Sequence, residues 1–166
     1  MTPKEFKAKY WPDIVAACQI TELDPFFVAA QAAHETGWGS KAIGNNLFGI
    51  KAMKGWSGLR QLKTTTEYLK DDKQAGKFAK VYSITKMPDG RYKYVGDLYF
   101  RDYPSVKDCL IDHAKVLKQS NFKGAWRYKD DPYQFAYAIA QAGYCTDSPE
   151  AYAKSIGSIA KTIERS

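Results

Sequence analysis

Four times in this chain a side chain able to cap a helix is followed at once by proline: Thr2-Pro3, Asp24-Pro25, Asp131-Pro132 and Ser148-Pro149. A capping oxygen accepts a hydrogen bond from a free backbone N–H of the first turn, and the proline after it already carries a helical φ. Each pair therefore fixes where a helix begins, and together they commit both ends of the chain to helices. Thr2 and Glu5 also have the spacing of a capping box. Pro12 predicts that the first helix is broken into two pieces, because proline lacks the donor that an interior turn needs. A further helix is predicted from Ser105, with Val106, Cys109, Leu110, His113, Val116 and Leu117 at core-facing spacing. The last helix repeats that spacing with Tyr152, Ile156, Ile159 and Ile163.

Between about 60 and 103 the texture changes to β-branched and aromatic residues, as in "QLKTTTEYL" and "KFAKVYSI". "MPDGRYKYVGDLYF" places a Pro-Asp-Gly turn between two such runs and predicts a hairpin. The expected fold class is α+β: one domain over residues 1–166, with a mostly helical body. A small β-hairpin lobe at about 60–103 is inserted after the second or third helix and flanks a cleft suited to a ligand.

A length of 166 residues with 45% hydrophobic and 26% charged side chains is ordinary for a globular domain and argues against disorder. No run of about 18 apolar residues suits a membrane span. "MTPKEFKAKYWPDIVAACQI" lacks the pattern of a secretory signal, so the chain as given is expected to be made in the cytoplasm or trimmed from something longer. The net charge of +7 favours anionic partners, whether nucleic acid, an anionic membrane surface or a cell-wall polymer. Three scattered cysteines, Cys18, Cys109 and Cys145, suggest neither a disulfide framework nor a zinc ribbon.

"VAAQAAHETGWGS", Val28 to Ser40, sets one acid at the end of a run of mostly small or apolar residues. With Gly37 capping the helix, Glu35 falls in its last turn. Partial desolvation and the negative end of the helix dipole both raise its pKa, which suits a general acid. Taken locally, the same pattern also fits a solvated acid at a frayed helix end. Glycoside hydrolysis commonly needs a second carboxylate, and Glu67 in "KTTTEYLKDD" is the best candidate, ahead of Asp71 and Asp72. Strand alternation puts Glu67 on one face with Thr65 and Leu69, away from Thr66 and Tyr68. A surface acid paired with a lysine would give the same pattern.

Other chemistries fit less well. His34 and His113 lack the companions that a metal site requires, so no metal and no cofactor are expected. Cys109 and His113 could touch across one helical turn, but both fall on an apolar stripe and read as core. No Gly-rich phosphate loop is present. Aromatic side chains such as Trp38, Trp56, Trp126, Tyr68 and Tyr144 can stack on sugars or on bases, although most are expected in the core. Trp38 and Tyr144 stand out because each adjoins glycine.

"AQAAHETGWGS", "NNLFGIK", "TTTEY" and "AGYCTD", in that order and spacing, resemble glycoside hydrolase family 73 over nearly the whole chain. The resemblance implies a lysozyme-like fold and cleavage of the β-1,4 glycan of peptidoglycan. It implies Glu35 as general acid and Glu67 as second acid. It also implies Trp38, Asn46, Phe48 and Tyr144 as substrate-binding residues, and the aromatic Tyr68 beside Glu67 is expected to bind substrate with them. His34 and Cys145 stand where apolar residue types are common in the family, and the β lobe is longer than in small relatives. The expected activity is endo-β-N-acetylglucosaminidase. A muramidase, a lytic transglycosylase, a secreted antibacterial effector, an inactive wall-binding module and a basic nucleic-acid binder are the alternatives. The expected partner is the peptidoglycan glycan strand and not nucleic acid, with peripheral attraction to an anionic envelope. A monomeric endolysin acting on the wall, in the host periplasm, is the expected context.

Overall fold

A computed structural model describes every residue from Met1 to Ser166, and the chain divides into two compact units. The larger comprises Met1–Phe48 and Pro104–Ser166, the smaller Gly49–Tyr103.

The larger unit holds five α-helices: α1 (Pro3–Thr21), α2 (Pro25–Thr36), α3 (Val106–Leu117), α4 (Pro132–Gln141) and α5 (Pro149–Arg165). A 3-10 segment, Ser120–Tyr128, joins α3 to α4. Every α-helix begins on a side-chain cap, from Thr2, Asp24, Ser105, Asp131 and Ser148, and the Thr2–Glu5 capping box forms. Proline follows the cap in α1, α2, α4 and α5.

Pro12 does not break α1, which runs unbroken from Pro3 to Thr21. Phe6, Tyr10, Ile14, Ala17 and Cys18 form one buried stripe across the proline, so core packing holds the two halves in line. Pro12 itself faces solvent, where water can serve the carbonyl that the missing N–H leaves unbonded. Around this stripe, α2 packs against α5 and α1, and α3 packs against α1. Phe27 and Phe135 meet at 4.6 Å in the core, and Ile139, Ile156, Leu117 and Ile163 are fully enclosed. Each such side chain contributes about 1.5–3 kcal/mol by leaving water.

The smaller unit is more than a hairpin. It is a three-stranded antiparallel sheet of β1 (Arg60–Leu69), β2 (Lys80–Lys86) and β3 (Tyr92–Arg101), in the order β1-β3-β2. It follows α2 in the chain. The Pro-Asp-Gly turn joins β2 to β3, with Gly90 at φ 86° and its N–H donating to the Met87 carbonyl. β1 then pairs along the other side of β3, Glu67 opposite Tyr94 and Arg60 opposite Arg101. Beyond the start of β2, residues 50–52 take up the same edge: Arg101 N–H donates to Ile50 and Ala52 N–H to Tyr99, both at 2.8 Å. One face of β3 buries Tyr94, Leu98 and Phe100. Gly96 lies on that face because a Cβ there would meet the Lys80 carbonyl oxygen at 2.5 Å, beside the irregular step between Val81 and Ser83.

Candidate active site

The alanines of α2 (29, 30, 32 and 33) are nearly inaccessible, and Gln31 among them is 1% exposed. A polar amide in such a place needs partners. Gln31 Nε2 donates to Tyr152 Oη at 2.8 Å, while Oε1 has no partner. One turn on, at the end of the helix, stands Glu35.

The helix stops there because the next three residues, Gly37, Trp38 and Gly39, all take left-handed φ of 54°, 56° and 84°. Trp38 N–H donates to the Ala33 carbonyl at 2.9 Å, and Thr36 Oγ1 accepts from Gly39 N–H at 2.8 Å. Glu35 is exposed where the sequence pattern predicts a dry position. Its carboxyl is nonetheless crowded enough that incomplete hydration holds the pKa above the ordinary carboxylate value. The nearby His34 opposes this, and Asp147 adds to it by like-charge repulsion.

Behind the acid lies a hydrogen-bonded aromatic group. Tyr144 follows Gly143, whose φ of 94° turns the chain out of α4. Tyr144 Oη lies 2.8 Å from His113 Nε2. Burial first, then the charges of Tyr152 and Glu35, push the Tyr144 hydroxyl well above its ordinary pKa, so it stays a neutral phenol. His113 is enclosed, and desolvation lowers its pKa to about 3 against an opposing pull from Asp112. The imidazole is therefore neutral. Phe48 stacks on it at 3.7 Å.

Asn46 is buried, and its Oδ1 accepts from the Phe48 N–H at 3.2 Å, bracing the loop that carries Phe48. Trp38 is half-buried and meets Phe6 edge-on at 5.6 Å. Cys109 is enclosed, faces the backbone N–H groups of Leu47 and Phe48, and is pushed by burial up to about 12. A thiol kept protonated is no nucleophile, so Cys109 and His113 are core residues.

The smaller unit carries the second predicted acid. Glu67, Thr65 and Leu69 are half-buried on one sheet face, and Thr66 and Tyr68 are exposed on the other, as alternation predicts. Glu67 Oε1 is 2.9 Å from Lys51 Nζ, and the edge pairing of residues 50–52 fixes the backbone that presents the lysine. The pair borders a cavity of about 190 Å³ floored by Leu69, Phe78 and Leu98. Tyr68 lies apart from it, with the Arg91 guanidinium 5.1 Å above its ring. The sequence reading missed Gln31, Tyr152, Asp147 and Lys51. A lone glutamine inside "VAAQAAH" was the available signal for Gln31.

A family model described as glucosaminidase, "mannosyl-glycoprotein endo-beta-N-acetylglucosaminidase", matches residues 11–165. The peptidoglycan hydrolase FlgJ of Pseudomonas aeruginosa is 30% identical over 168 residues, covering 96% of this chain and 36% of that protein. A probable N-acetylmuramidase of Lactococcus lactis is 34% identical over 135 residues, covering 75% of this chain and 26% of that one. The chain thus spans well under two thirds of the length of these curated relatives. Among solved structures, the truncated glycoside hydrolase domain of Salmonella typhimurium FlgJ superposes with a TM-score of 0.72 at 27% identity, covering 99% of each chain. The α+β fold is accordingly of the lysozyme-like glycoside hydrolase type.

Proposed function

The chain belongs to the glucosaminidase family, glycoside hydrolase family 73, and from that premise we propose that it cleaves the β-1,4 glycan backbone of peptidoglycan as an endo-β-N-acetylglucosaminidase. The observation that carries this reading is Glu35 at the end of α2, its pKa raised by incomplete hydration, beside the neutral Tyr144–His113 pair.

In this reading Glu35 gives its proton to the glycosidic oxygen as the bond to the sugar breaks through an oxocarbenium-like state. A carboxyl that is crowded yet still reachable suits that task, because the acid must meet a polymer from outside. Tyr144 contributes a neutral hydroxyl, and the imidazole of His113 fixes where that hydroxyl points. Glu67, held by Lys51, is the second carboxylate: it activates water in an inverting reaction, or orients the sugar where the N-acetyl group of the substrate assists.

A second reading, cleavage on the muramic acid side, is favoured by the relative described as a probable N-acetylmuramidase. We further place the enzyme at the cell wall in a bacteriolytic, endolysin-type role, where a net charge of +7 favours approach to an anionic envelope. Mass spectrometry of muropeptides released from purified sacculi, with and without borohydride reduction, tests both readings. New N-acetylglucosamine reducing ends support the proposal. Reducing muramic acid ends or anhydro products reassign the bond or the reaction, and no released product overturns the hydrolase reading.

A further inference from the structure

The net charge is unevenly placed. Residues 49–103 carry twelve Lys and Arg against six Asp and Glu, which leaves +6 of the chain's +7 on about a third of its length. The other 111 residues, with thirteen against twelve, are close to neutral.

The register shows where part of that charge goes. β3 turns its even-numbered residues to the buried face, so Lys93, Val95, Asp97 and Tyr99 share the other face with their partners Tyr68, Thr66, Thr64 and Leu62. Lys80, opposite Asp97, and Thr85, opposite Lys93, extend it onto β2. This face is open: Leu62, Tyr68, Tyr82 and Tyr99 are 41–53% exposed. Its one central acid, Asp97, stays ionised beside Lys80, accepting from Thr64 Oγ1 at 2.6 Å and from Tyr82 Oη at 2.7 Å, and the three cations Arg60, Lys80 and Lys93 outnumber it. The cations are held against rings: Arg60 is 5.4 Å from Tyr99 and Lys80 is 5.0 Å from Tyr82. Arg60 and Lys93 are eight residues of strand apart in register, about 26 Å.

We infer that this open sheet face, the one opposite Glu67, is a docking platform for a linear anionic glycan. Cations strung along an extended face match a chain of spaced carboxylates better than a single anion. Ring contacts restrict the two cations before any partner arrives, so less freedom is lost on binding. The exposed threonine hydroxyls and tyrosines between the charges offer hydrogen bonds and apolar faces to sugars. The anion preference rests on the charge pattern alone, and the choice of a glycan rests on the wall-hydrolase reading.

The test uses the full chain with Arg60, Lys80 and Lys93 changed together to Gln, and a charge-matched control with Lys54, Lys63 and Lys73 changed to Gln. Polygalacturonate, a linear carboxylated glycan, is the soluble probe, with duplex DNA and phosphatidylglycerol vesicles as competitors. All six side chains are on or near the surface, and unchanged circular dichroism and Tm establish that both variants are folded.

The face variant is expected to bind polygalacturonate about tenfold more weakly than wild type and with a shallower salt dependence. The control is expected to stay within about twofold of wild type. On sacculi the face variant raises KM with little change in kcat. Equal losses in the two variants overturn the platform in favour of bulk charge, and tighter binding of DNA or vesicles overturns the occupant. If wild type releases nothing from sacculi, the hydrolase reading fails, and the polygalacturonate comparison still decides whether the face binds an anionic glycan.

Discussion

The hydroxyl of Tyr144 and the Nε2 of His113 lie 2.8 Å apart, joining the turn after α4 to the middle of α3. Neither group has a charge to lose at neutral pH, so the contact is a fixed strut between two neutral partners. Tyr144→Phe leaves the imidazole nitrogen buried without its partner and is expected to cost about 1–3 kcal/mol. Thermal unfolding should show a Tm several degrees lower, and an unchanged Tm would mean the contact is not maintained in solution.

His113 also gives the fold an acid-sensitive element. Its folded pKa is lowered to about 3 from an ordinary 6.5. Between those values the unfolded chain takes up a proton that the folded chain refuses, so stability falls as the pH drops from 6.5 toward 3. Above pH 6.5 the contribution is complete. His113→Gln keeps a hydrogen-bonding group and removes this titration. The fall in Tm between neutral and mildly acidic buffer should be smaller in the variant than in wild type.

Glu35→Gln is expected to lower kcat on cell-wall substrate roughly 100- to 10,000-fold with the fold intact, the usual contribution of a general acid. Asp147→Asn gives a finer reading. The Asp147 charge helps to raise the Glu35 pKa, so removing it lets Glu35 ionise at lower pH. Because the acid works only when protonated, the alkaline limb of the kcat/KM profile should move to lower pH. A limb that stays in place would assign it to another group.

The Lys51–Glu67 pair separates stability from activity. At 39% and 26% side-chain exposure the two groups are well screened, so the pair contributes within about 1 kcal/mol. Lys51→Met should therefore leave Tm nearly unchanged while lowering kcat/KM severalfold, because the Glu67 carboxylate loses its anchor. Lys51→Arg should restore part of the rate. Loss of Tm and rate together would make Lys51 a packing residue of the sheet.

Pro12 lies on the exposed side of an unbroken helix. Pro12→Ala supplies the missing backbone donor at a site where alanine is the better helix former by up to about 3 kcal/mol. A higher Tm is expected, and a lower one would show that the proline's restriction of the unfolded chain outweighs the regained hydrogen bond.

What the sequence reveals is mostly what is local. Thr2, Asp24, Asp131 and Ser148 announce their helices because cap, proline and first turn lie within four residues of one another. The β2–β3 turn is equally self-contained. Pro12 misleads because the stripe that overrides it, Phe6 to Cys18, acts through packing against other helices. β1 is recognisable as a strand, but its place beside β3 depends on a pairing about thirty residues away. Glu35 can be picked out because an acid ending an apolar run is unusual. Asp147 cannot, since its influence on Glu35 arises only once the turn after α4 folds back. His113 looks like an ordinary core residue until its partner is known.

With its start pinned at Asp24-Pro25 and its stop at Gly37, α2 works as a ruler of set length. Each residue added or removed between those marks would swing the acid about 100° around the barrel of the helix. A single residue inserted or deleted here would therefore turn the carboxyl away from its neighbours, whereas replacements on the faces of this rod leave its aim unchanged.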